Sequence, residues 1–140
     1  MKPILIAIAL VLSFAAANAQ TADTAKRAHS DTTIFTMVEK MPEFPNGGIG
    51  GFLKYLTDSL RYPERARQRG TQGRVILTCV VEKDGSLDHV RILKSLSRET
   101  DAEAIRLIED CPKWNPGYQN GKPARVMCPI NIPVIFRLPE

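Results

Sequence analysis

Apolar side chains fall on every second residue from Val75 through Leu77 and Cys79 to Val81, and the run ends at Asp84-Gly85. Strict alternation marks a half-buried strand, and a D-G pair marks a tight turn. Beyond that turn Val90 and Ile92 continue an apolar face, with His89 and Arg91 opposite as solvated strand residues. Residues 73–95 therefore read as an antiparallel hairpin. The longest alternation lies in residues 124–138, where Val126, Cys128, Ile130, Ile132, Val134 and Phe136 share one face. The period changes to that of a helix in three places. Phe52, Leu53, Leu56 and Leu60 predict an amphipathic helix of about three turns. Pro63 and Gly70 bracket a short second helix. Farther on, Ile105 and Ile108 form a stripe with Ala102 and Leu107 at its edges. Thr100 and Glu103 have capping-box spacing at its start, and Pro112 stops it.

The order strand, strand, helix, strand constrains the sheet. The hairpin makes the first two strands antiparallel, and the helix returns the chain so that the last strand runs parallel to the second. It can join an all-antiparallel sheet only beside the first strand, giving the order 2-1-3 with helices on the apolar face. The expected fold class is α+β, two helices packed on a three-stranded antiparallel sheet. Pro129 and Pro133 agree with this, because a proline cannot donate in a ladder and belongs on a free edge. On that edge the outward N–H groups are those of Met127, Asn131 and Ile135. Such an edge has two readings. It can accept a partner strand, or its prolines can simply discourage pairing.

Composition narrows the rest. Lys2, the apolar run from Ile4 to Phe14 and the small residues Ala17 and Ala19 predict a signal peptide over residues 1–19, cut before Gln20. The alternative is an uncleaved segment that anchors the chain to the inner membrane. Residues 20–37 read as a flexible lead and residues 38–140 as one domain. Loss of Lys2 lowers the formal charge from +4 to +3. Without a dense basic stripe, nothing suggests nucleic acid. The "GGIGG" stretch lacks the preceding strand and G-K-[ST] ending of a phosphate loop, so its glycines shape a helix start. There is no G-x-S-x-G, no H-E-x-x-H and no Cys/His spacing for zinc. No enzyme, metal or cofactor is expected. The three cysteines, 79, 111 and 128, leave at least one thiol unpaired. Cys79 and Cys128 lie on neighbouring strands with the same facing, so either one bridge or three free thiols fits. Trp114, between two prolines, reads as the plug that closes the layer between helix and sheet, with Pro116 and Gly117 fixing the chain's exit.

Several stretches carry a more specific signal: "MPEFPNGG", "RYPERARQRGTQGRV", "VVEKDGSLDHV", "PKWNPGYQNGKPARV" and "IPVIFRL". In this order, across roughly residues 38–138, they resemble the C-terminal domain of TonB-family energy transducers in its Bacteroidota-type form. The resemblance implies a two-helix, three-stranded periplasmic domain. It also implies recognition of the TonB box, a short N-terminal peptide of outer-membrane transporters, by strand addition to the last strand. The partner-binding residues are then Met127, Asn131, Ile135 and Arg137 on the edge, with Ser59, Leu60, Arg61, Tyr62 and Pro63 around the tyrosine-proline pair. Asp84, Gly85, Trp114, Pro116 and Gly117 are structural. Inner-membrane energising proteins join the partners if the N-terminal segment is retained. The pattern departs from the family in lacking a long periplasmic spacer and in a last strand about two residues longer, with Pro129 added. A structural protein that dimerises through its edge strand, without transducing energy, is the alternative.

Overall fold

The computed structural model describes residues 33–140, of which 34–140 form one compact unit. The expected cleavage site and most of the lead lie outside the described residues. Within the stretch read as lead, Ile34–Phe35 forms a strand, β1. Then follow α1 (Gly48–Ser59), α2 (Glu64–Gln68), β2 (Gly73–Val81), β3 (Leu87–Lys94) and α3 (Arg98–Glu109). Three strands complete the order: β4 (Gly117–Gln119), β5 (Lys122–Met127) and β6 (Ile132–Phe136).

The hairpin forms as the alternation requires. Leu77 faces Ile92 and Val81 faces Leu87 across β2 and β3, so the apolar faces coincide. Asp84 accepts from both the N–H and the hydroxyl of Ser86, and Gly85 takes φ +87°. His89 is the extra residue of a bulge, with φ +50°, and not a regular strand position. Its Nε2 accepts from Arg125, which also holds Glu82 through two bonds of 2.7 and 3.0 Å. Glu82, Asp88 and His89 bring ligand atoms within 4.8 Å of one another, and this guanidinium is part of that group.

β2 is the central strand, with β3 on one side and both β5 and β6 on the other. The order 2-1-3 is present, but the fold is larger than two helices on three strands. The last strand is divided, and β1 and β4 are added beside β5. The division is a bulge. Leu77 to Val80 is three steps along β2, yet the facing residues Ile132 and Met127 are five apart. Two residues are therefore extra: Cys128 still bonds to β2, and residues 129–131 leave the ladder.

The core lies between the sheet and the helices. Phe52 and Leu56 of α1 and Ala104, Leu107 and Ile108 of α3 meet Val75, Leu77, Cys79 and Val81 of β2 and Ile132, Val134 and Phe136 of β6. The α3 stripe is rotated from its expected phase: Ala104 is buried and Ala102 exposed. The capping box differs as well. Ser97 is the N-cap and exchanges bonds with Thr100, whereas Glu103 turns to another task. Among the glycines of the α1 start, Gly51 is the one with no alternative, because a Cβ there would sit 1.7 Å from the Asn46 carbonyl oxygen.

Trp114 is buried in the core cluster. Its ring meets Phe52 edge-on at 4.9 Å and Phe44 at 5.9 Å. All three cysteines are free thiols. Cys79 and Cys128 are joined through backbone, Cys128 N–H donating to the Cys79 carbonyl at 2.9 Å. The hydrogen bond with Cys128 raises the Cys79 thiol well above its ordinary range, and burial adds to this. Burial pushes the Cys111 thiol up to about 11.

Candidate functional site

β6 pairs with β2 and with no other described strand, so its far side is an open sheet edge. Pro133 fixes which groups point outward. It faces Ile76 in the register and has no N–H to give, so this is a non-hydrogen-bonded pair. Pairs of that kind recur every second residue, which makes Arg74–Ile135 another. The N–H and carbonyl of Ile135 and the carbonyl of Pro133 therefore face away from β2. The Ile135 side chain is 56% exposed on the sheet face away from the helices. Its neighbours Val134 and Phe136 are buried, so the edge is held rigidly by the core.

The four residues expected on this edge separate. Ile135 lies on β6, and Arg137 follows its end. Asn131 sits in the bulge, exposed and outside the ladder. Met127 belongs to β5, which is flanked on its outer side by β1: Val126 pairs with both Val81 and Phe35. Of these four, Ile135 is the one on a strand whose outer side is open among the described residues; β3, on the opposite side of β2, likewise has one partner strand.

The tyrosine-proline segment is brought to the end of this strand. The Tyr62 ring meets Phe136 edge-on at 5.6 Å, and its hydroxyl donates to the Thr71 carbonyl. Leu60 packs on the core, and Arg61 is exposed. Residues 59–61 are latched from behind by α3. Arg61 N–H donates to Glu103 Oε1 at 2.8 Å, and Arg106 donates to the Ser59 carbonyl at 3.0 Å. Arg106 also closes on Glu103 through bonds of 2.8 and 2.6 Å. This latch was missed in the sequence because Glu103 also fits a cap. Its trace is the Glu-x-x-Arg spacing, which places both side chains on one helix face.

The Glu103 side chain is only 9% exposed, and its ionisation follows from its partners. Burial raises its pKa, but Arg106 and the Arg61 N–H outweigh burial and hold it below the ordinary value. A depressed carboxylate stabilises the fold above its unfolded pKa, and that contribution is lost as pH falls through the folded one. Glu103→Gln should thus cost about 1.5–3 kcal/mol at neutral pH. The gap to wild type should shrink as pH falls below the ordinary carboxylate range. Urea unfolding at several pH values tests this, and a gap that persists undiminished in acid would show that the charge is not the cause.

A search of curated proteins returns no match. Among solved structures, the NMR solution structure of Helicobacter pylori TonB-CTD is similar, with 21% identity, covering 69% of this chain and 90% of that one at a TM-score of 0.46. The family model described as Gram-negative bacterial TonB protein C-terminal matches residues 58–138, which takes in the latched segment, the hairpin, the tryptophan loop and the open edge. The chain belongs to that family, whose members are transport-related protein-interaction domains of the periplasmic type.

Proposed function

We propose that this chain captures the N-terminal TonB box of outer-membrane transporters by adding it as a strand to β6, after export by cleavage between Ala19 and Gln20. The observation that carries the reading is the one-sided pairing of β6 together with the outward N–H and carbonyl of Ile135. An extended peptide satisfies such groups, and pockets beside the edge select its side chains. Magnitudes limit what the ladder can do. The outward groups named above supply roughly 0.5–1.5 kcal/mol each, net, which is a millimolar interaction at best. Side-chain contacts must therefore set both affinity and choice.

The testing variant is Ile135→Pro. It removes the one outward N–H on β6 and leaves the bonds to β2 intact, so the protein should fold and bind the peptide several-fold to about tenfold more weakly. Titration of labelled transporter N-terminal peptides into both proteins, with circular dichroism as a folding control, measures it. Unchanged affinity in a folded Ile135→Pro protein would sink strand addition at β6.

A further inference from the structure

Five cations of the domain have an acid within reach: Lys54 with Asp58, Arg69 with Glu99, Arg106 with Glu103, Lys113 with Asp84 and Arg125 with Glu82. Arg74 and Arg137 are among the described cations that do not, and they are set apart by where they lie. Both are exposed, and neither guanidinium has an ion-pair or hydrogen-bond partner among the described residues. They nevertheless line one shallow concavity of about 330 Å³, together with Gln72, Gly73, Ile135 and Phe136. Arg74 faces Ile135 directly across the β2–β6 ladder, so cation and aliphatic side chain share the helix-free face. Gln72 closes one end by accepting the Leu138 N–H at 3.0 Å.

Two like charges over one hollow repel each other, and an anion placed between them removes that cost and gains charge-assisted hydrogen bonds. The hollow lies beside the outward backbone groups of Ile135. An extended segment carrying a carboxylate would satisfy the edge and the arginines at once, whereas a lipid headgroup would satisfy only the arginines. We propose that Arg74 and Arg137 form an acid-selective subsite beside β6 that takes a glutamate or aspartate side chain of the added strand. The proposal rests on strand addition at β6 and assigns its selectivity. Because side chains of a strand alternate between faces, the subsite reads only every second position of the peptide.

The test uses the full chain and short synthetic peptides of alternating valine and threonine that carry one glutamate, set against glutamine counterparts. The glutamate is moved along successive positions. At low salt the best glutamate peptide should bind on the order of tenfold tighter than its counterpart, an advantage confined to alternate positions and reduced at high salt. In the double variant Arg74→Gln, Arg137→Gln that advantage should vanish while glutamine-peptide affinity stays. Equal affinities in the wild-type protein overturn the subsite and leave strand addition standing. Binding of neither peptide overturns strand addition, and the subsite with it. Arginine-dependent binding to phosphatidylglycerol vesicles without glutamate selectivity overturns the peptide assignment in favour of a lipid surface.

Discussion

Trp114→Ala should lower the unfolding free energy by about 3–5 kcal/mol, read from urea unfolding. The indole is 2% exposed and stands edge-on against Phe52 and Phe44, so its removal leaves a cavity bounded by rings that cannot collapse into it. Its Nε1–H is buried without a hydrogen-bond acceptor. Trp114→Phe keeps an aromatic plug and removes that orphan donor, so it should cost less than its lost volume suggests. A loss below about 1 kcal/mol for the alanine variant would mean that the tryptophan is not the plug described.

Gly85→Ala is the second large effect, on the order of 3 kcal/mol or more. Gly85 takes φ +87°, which an L side chain resists, and a Cβ there would lie 1.9 Å from the Trp114 carbonyl oxygen. The opposing atom is backbone and cannot rotate away. The hairpin would have to leave the tryptophan loop and give up the 2.8 Å bond from Trp114 N–H to the Gly85 carbonyl. Gly121→Ala is the control: its φ is +74°, but nothing lies within 4 Å of the added carbon. It should cost only the conformational strain, about 1 kcal/mol. Equal losses at the two glycines would remove contact with Trp114 as the explanation.

Much of this arrangement was legible because it is local. Val75, Leu77, Cys79 and Val81 announce a strand, Asp84-Gly85 the turn, and Pro133 a free edge. The bulge was hidden for a specific reason. An insertion of two residues preserves the alternation, so Cys128, Ile130 and Ile132 read as one unbroken strand. Only the register against β2 reveals the break. β1 and β4 left no trace because two or three residues cannot show a period. β1 exists through a partner far along the chain, Ile34 facing Arg125 and Phe35 facing Val126, whereas β4 is a short local hairpin with β5 across residues 120–121. The α3 stripe was misphased because Thr100, a polar residue, is fully buried while it serves the cap. Of the candidate site, the edge could be read from prolines, but the Glu103 latch and the hollow under Arg74 are tertiary, and alternation says only which face a side chain takes.

β6 serves two masters at once, since Ile132, Val134 and Phe136 belong to the core while the backbone between them forms the open edge. A peptide that docks there meets a preorganised strand and does not have to order it. It also binds only the folded chain, which couples occupancy to global stability. At a hundredfold excess over Kd, such a ligand adds about 2.7 kcal/mol to the unfolding free energy of the whole domain. If β6 takes up a peptide strand as proposed, the melting temperature of the domain is itself a gauge of occupancy, and a thermal shift reports capture without any label on either molecule.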